Sequence, residues 1–162
     1  MKILSNKEII HILPDITKSQ MNKSVTDLKF IGGGSFGKVF KGVLPDGEYI
    51  ILKVYRIKGM NKNEARQLEA LSKSTSVPMP EVFFTYNDDR IEMMAMSFIK
   101  GSNALNPLFL LKTRAQKQNF AESVISGMQE IHSVTNNKFG PVENPTYDSW
   151  LKYYDENVLT PK

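Results

Sequence analysis

The 162-residue sequence contains no cysteine, which excludes disulfides, a zinc–thiolate site and a cysteine nucleophile. It has no apolar run of about 18 residues that could cross a bilayer, and its N-terminus lacks the apolar stretch of a secretory leader. A cytoplasmic chain with no membrane partner is the expectation. Internal repeats and low-complexity tracts are absent as well. Histidine is scarce: His11 lies in an apolar stretch and reads as a packed or surface residue, and His132 reads as a cap on the last carbonyls of a helix. The excess of positive charge is only +4, and the lysines are scattered. That pattern suits a solvated surface and no nucleic-acid partner. What is present is ordinary: 41% hydrophobic and 23% charged residues, enough for a core and against disorder. The length fits one domain, or a small domain with part of another.

Against this background Gly32-Gly33-Gly34-Ser35-Phe36-Gly37-Lys38-Val39 stands out. Gly32, Gly34 and Gly37 form G-x-G-x-x-G. Glycine can take φ > 0 and lets backbone N–H groups approach a phosphate, so a nucleotide is the first ligand to consider. Three folds use such a loop. A dinucleotide-binding βαβ unit needs the glycines to open a helix, but Lys38–Leu44 reads as a strand. A P-loop needs Ser or Thr after G-x-x-x-x-G-K, and Val39 stands there. A kinase-type loop joins two antiparallel strands and carries a Val after the last glycine.

The flanking pattern fits the third form. Val25–Ile31, Phe36–Leu44 and Glu48–Tyr55 read as strands, with Pro45-Asp46-Gly47 as a turn. Before them, Ser5 and Glu8 have capping-box spacing; Ile9, Ile12 and Ile16 share a face, and Pro14 is expected to end or kink that helix. After them, Lys58–Asn63 reads as a loop, with Asn63 capping a helix over Glu64–Lys73. Glu81–Tyr86 and Ile91–Phe98 form a hairpin around Asn87-Asp88-Asp89, with Met93, Met94 and Met96 as core filler. Asn106-Pro107 is a helix start, and Phe120, Val124, Met128 and Ile131 stripe a long helix running to about Ser133. A shorter amphipathic piece runs through Trp150, Leu151 and Tyr154.

A kinase-type loop calls for a lysine on the third strand and a helix glutamate to hold it. Lys53 lies mid-strand among Ile50, Ile51, Leu52 and Val54, where an unpaired charge is costly to bury. Glu64 shares a helix face with Leu68. Alone it would read as a frayed first-turn acid; opposite Lys53 each explains the other. Ile51, on the strand face of Lys53, and Val39 could cover an adenine ring.

At this point the chain resembles the aminoglycoside phosphotransferase-like small-molecule kinases, which include choline and fructosamine kinases and share the protein-kinase fold. The resemblance rests on the glycine loop, Glu64-Ala65 through Leu71, and Val77-Pro78-Met79-Pro80-Glu81-Val82. It continues through Met96-Ser97-Phe98-Ile99-Lys100-Gly101, Met128-Gln129-Glu130-Ile131-His132-Ser133, and the stretch from Phe139-Gly140 to Trp150. It implies an α+β fold: a kinase-like amino-terminal lobe, with a five-stranded antiparallel sheet and a helix, followed by the first helices of a truncated second lobe. It implies a helical segment at 1–23, a nucleotide-binding lobe at 24–98, and a hinge with the start of a helical lobe at 99–162.

It also implies roles. Gly32, Gly34 and Gly37, with Ser35 and Phe36 at the loop tip, would cover the triphosphate of ATP. Lys53, oriented by Glu64, would contact its α- and β-phosphates. Met96 belongs to the cofactor-binding set, and backbone groups of Ser97 and Ile99 would bind adenine at the hinge. Gly101 would let the chain turn towards the second lobe.

Such kinases need a catalytic Asp in H-x-D-x-x-x-x-N and later metal-binding residues. Neither His11 nor His132 has Asp two residues on, D-x-x-x-x-N occurs nowhere, and no Asp-Phe-Gly-like motif follows residue 132. The expectation is therefore a fragment or truncated product, inactive alone. Its magnesium ligands and its small-molecule acceptor site would lie in the missing lobe, and its exposed long helix would invite self-association. A non-catalytic nucleotide-binding or interaction module and a protein-kinase amino lobe are the alternatives.

Overall fold

The computed structural model describes residues 4–101, 112–142 and 144–159. It has one antiparallel five-stranded sheet, in the order β1-β2-β3-β5-β4. The strands are β1 (Thr26–Gly34), β2 (Gly37–Val43), β3 (Tyr49–Tyr55), β4 (Val82–Asn87) and β5 (Glu92–Ser97). The helices are α1 (Asn6–Met21), α2 (Met60–Ser74), α3 (Arg114–Ser133) and α4 (Trp150–Tyr154), the last continuing into a π-helical turn at Asp155–Leu159. Two compact units result: residues 1–69 with 80–99, and residues 70–79 with 100–162.

The alternation of side chains along each strand divides the sheet into two faces. Phe40, Leu52 and Ala95 are cross-strand partners. With Ile50, Val54 and Met93 they form a buried core under Ile9, Leu13 and Ile16 of α1. The opposite face carries Val39, Lys53 and Met94 in register, and there Tyr55 and Met94 pack with Ala65 and Leu68 of α2. Covering on both faces explains why β3 is a near-continuous apolar run; Lys53 is its one half-buried interruption.

α1 corrects a sequence expectation. Its capping box forms as read, with the Glu8 amide donating to Ser5 Oγ at 3.3 Å and the Ser5 amide to Glu8 Oε2 at 2.7 Å. Pro14, however, lies inside an unbroken helix. An interior proline costs about 3 kcal/mol. Burying Ile9, Leu13 and Ile16 returns roughly 1.5–3 kcal/mol each, so packing on the sheet overrides the break.

The β4–β5 hairpin is built on Asp88. Its Oδ1 accepts the amides of Arg90 at 2.7 Å and Ile91 at 2.8 Å. Burial alone would raise its carboxyl, but these amides, with the Arg90 guanidinium and the Tyr86 hydroxyl, outweigh it and hold the group below its ordinary value. A depressed carboxylate contributes stability at neutral pH that is lost as pH falls through its folded value. Asp88→Ala should therefore cost roughly 1–2 kcal/mol at neutral pH, with a shallower loss on acidification than wild type. Thermal melts across the acid range read both.

In the second unit α3 begins at Arg114, with Thr113 as N-cap and Gln116 completing a capping box. The expected helix start at Asn106-Pro107 lies outside the described residues. No described residue of α3 is buried; Phe120, Val124 and Met128 are all exposed. Glu130 holds the connector before β4, accepting Ser76 Oγ at 2.9 Å and the Ser76 amide.

Candidate functional site

β1 and β2 meet in a two-residue turn, Ser35-Phe36, closed by the Gly34–Gly37 pair. The turn is tied down where the Phe36 carbonyl accepts the Arg56 amide at 3.0 Å. None of Gly32, Gly33, Gly34 or Gly37 has positive φ, contrary to the sequence expectation. All four are strand residues, and what glycine supplies here is a missing side chain. A Cβ on Gly37 would lie 2.2 Å from the Val54 carbonyl oxygen, and one on Gly33 would lie 2.9 Å from the Gly37 carbonyl oxygen. Gly32 and Gly34 face open space. Two glycines thus let the strands close, and two leave bare backbone towards the cleft.

That cleft, about 440 Å³, is lined by Ile31, Gly32 to Gly37, Val39 and Lys53. Of the residues singled out from sequence, Gly32, Gly34, Ser35, Phe36, Gly37, Val39 and Lys53 are therefore brought together. Behind them, Lys53 Nζ lies 2.6 Å from each Glu64 oxygen, with the two side chains 23% and 28% exposed. The Tyr55 ring lies 5.1 Å from the same ammonium. Burial pushes the Tyr55 hydroxyl far above its ordinary value, and the Glu64 and then Glu92 carboxylates push it further, so it stays a neutral phenol.

Ile51 pairs with Met96 across β3 and β5 on the Lys53 face; Ile51 is buried and Met96 half-buried. Neither Met96, Ser97 nor Ile99 lines the cleft. The Ser97 amide donates to the Glu81 carbonyl at 2.8 Å, and its hydroxyl accepts the Glu81 amide at 2.9 Å. The Ser97 N–H is therefore already used, and Ile99 is exposed.

α2 starts at Met60 rather than Glu64, so Glu64 lies a full turn inside the helix and Asn63 does not cap it. The start is fixed from β5: Glu92 Oε2 accepts the Gly59 amide at 3.0 Å, and Glu92 Oε1 accepts the Asn61 amide at 3.1 Å. Sequence reasoning missed this, because a carboxylate capping a helix from a distant strand leaves no local signature. It also missed Ile31, whose only signal is its place directly before the glycines. A third omission is Lys41, which lies 3.5 Å from the Tyr49 ring centre and 4.1 Å from that of Phe98. Among the described residues no group of three or more His, Cys, Asp or Glu side chains could hold a metal ion. No helix of the described residues is long and apolar enough to cross a membrane.

Solved structures share the fold. APH(2")-IIa, in a ternary complex with streptomycin and ATP, matches over 85% of this chain and 43% of its own length, at 18% identity and TM-score 0.53. The five-stranded antiparallel sheet and its helices match the kinase-like amino-terminal lobe of that protein. A weaker match is the macrolide 2'-phosphotransferase MphH of Brachybacterium faecium, at 20% identity and TM-score 0.46, over 59% of this chain and 32% of its own. Another is a fructosamine-3-kinase candidate from Thermobifida fusca, at 19% identity and TM-score 0.48, over 56% and 32%. The chain spans less than half the length of each of these three proteins. No protein-family model and no curated protein matches the sequence.

Proposed function

We propose that this kinase-like lobe binds ATP as the nucleotide-holding part of a small-molecule phosphotransferase. The reaction would move the γ-phosphate to a hydroxyl of an aminoglycoside-, choline- or ketosamine-like acceptor. The observation that carries this is the Lys53–Glu64 pair at 2.6 Å behind a glycine-rich cleft. A half-buried ammonium held by a carboxylate is preorganised for phosphate oxygens, so little is spent on ordering it when the ligand arrives.

In this reading Gly32 and Gly34 leave room for phosphate against bare backbone, and Val39, Ile31 and Ile51 offer apolar contact to the base. Lys53 neutralises phosphate charge while Glu64 keeps it in place. Backbone groups of Ser97, the last residue of β5, and of Ile99 two residues on would hold adenine. The division into a nucleotide-binding lobe at 24–98 and a hinge with helical residues at 99–162 belongs to the same proposal. Phosphoryl transfer is mostly positioning and charge stabilisation, and it needs a catalytic Asp and metal ligands. Among the described residues no cluster of His, Cys, Asp or Glu side chains fits a magnesium ion.

A second reading, a nucleotide-binding module without catalysis, draws on the absence of any D-x-x-x-x-N in the sequence. The two share a first test. Purified chain titrated with ATP and GTP in a calorimeter should bind nucleotide, yet transfer no radiolabelled phosphate to aminoglycosides, choline or ketosamines. No binding of either nucleotide would end both readings; turnover would show that another group here acts as base.

A further inference from the structure

On the same sheet face as Lys53, two residues before Met94, lies a buried carboxylate. Glu92 pairs with Tyr55 in the β3–β5 register and is 4% exposed. Its two oxygens accept the Gly59 and Asn61 amides, so the negative charge is met by backbone N–H groups at the start of α2, where the helix dipole is positive. Gly59 has φ of 81°, the turn that brings its amide alongside that of Asn61. Asn61, 1% exposed, adds a second tie. Its Nδ2 donates to the Tyr86 and Met93 carbonyls, each at 3.1 Å, and its Oδ1 accepts the Lys62 amide at 2.6 Å. Tyr86 and Met93 are cross-strand partners, so one side chain grips both strands of the hairpin.

Glu64 follows Asn61 by three residues, less than one turn of the helix. The position and rotation of that turn therefore decide whether the Glu64 carboxylate reaches Lys53. We propose that Glu92 and Asn61 are positioning residues for the Lys53 ammonium: they lock the first turn of α2 to β5 and so hold Glu64 against Lys53 before any ligand is bound. The proposal rests on the nucleotide reading of the cleft only for what Lys53 then does. The lock itself is a property of the fold.

The test is a double-mutant cycle on nucleotide affinity. Glu92→Gln replaces one acceptor oxygen by an NH₂ that opposes a backbone N–H; Glu64→Gln removes the charge through which Glu92 is said to act. Glu92→Gln should weaken ATP binding by about tenfold with Glu64 present, and have no further effect in the Glu64→Gln background, a coupling expected of residues acting through one contact. Equal weakening in both backgrounds would overturn the proposal. So would a lowered melting temperature with unchanged affinity, which is the mark of a purely structural role.

If Glu92→Gln does not fold, Asn61→Ala takes its place in the same cycle, since it keeps the carboxylate cap and removes the strand ties together with the bond to the Lys62 amide. If the wild-type chain binds no nucleotide, the reading of the cleft fails while the lock stays testable. In ¹⁵N-lysine-labelled protein, Glu92→Gln should move the Lys53 side-chain resonance towards its position in Glu64→Gln. An unmoved resonance would overturn the proposal.

Discussion

Gly37→Ala should lower the melting temperature by roughly 6–12 °C, the effect of about 3 kcal/mol in a chain of this size. The added Cβ would lie 2.2 Å from the Val54 carbonyl oxygen. That oxygen belongs to the neighbouring strand, where Gly37 pairs with Tyr55 and Lys38 with Val54. It cannot rotate away as a flexible side chain would, so the cost belongs at the upper end of overpacking, about 3 kcal/mol. Gly32→Ala is the control within the same motif. Its Cβ would meet nothing within 4 Å, so stability should stay within about 0.5 kcal/mol of wild type. If the cleft holds phosphate, nucleotide affinity should fall all the same. Thermal melts and a nucleotide titration of the two variants separate the glycine that closes the sheet from the glycine that clears the cleft.

The second large effect concerns Lys53. Hydrogen bonds to a charged group contribute about 1.5–3 kcal/mol, so Lys53→Ala should weaken ATP binding by roughly 10- to 100-fold. Its effect on folding should be smaller. Glu64 loses its partner, but its side chain is 28% exposed and water can reach the carboxylate. Calorimetric titration with melts in parallel distinguishes these quantities. Unchanged affinity with a large drop in melting temperature would mean that the pair serves the fold and not a ligand.

Much of this architecture was legible in the sequence because local signals agreed. The strands around the glycines, the Pro45-Asp46-Gly47 turn and the Asn87–Asp89 hairpin all follow from β-propensity and turn chemistry, and Ser5 with Glu8 marked a helix start correctly. The pairing of Lys53 with Glu64 was legible for another reason: each is costly where it stands unless the other answers it.

What escaped reading was set by tertiary contacts. Pro14 stays inside α1 because the sheet buries the residues on either side. The start of α2 was placed late because its cap comes from Glu92, 31 residues beyond Asn61. The glycine loop was expected to rely on positive φ, whereas β1 runs on to Gly34 and its glycines serve close approach and open space. Sequence also suggested hinge backbone groups at Ser97 without revealing that its amide is already bonded to Glu81.

The most direct test of the nucleotide-binding account is an amide chemical-shift map of the ¹⁵N-labelled chain, titrated with a non-hydrolysable ATP analogue and magnesium. Perturbations are expected to concentrate at Ile31 to Val39 and Ile51 to Lys53, with a second group at Met96 to Ile99, and to disappear in Lys53→Ala at the same ligand concentration. Shifts confined to other surfaces, or a map unchanged by Lys53→Ala, would contradict the account.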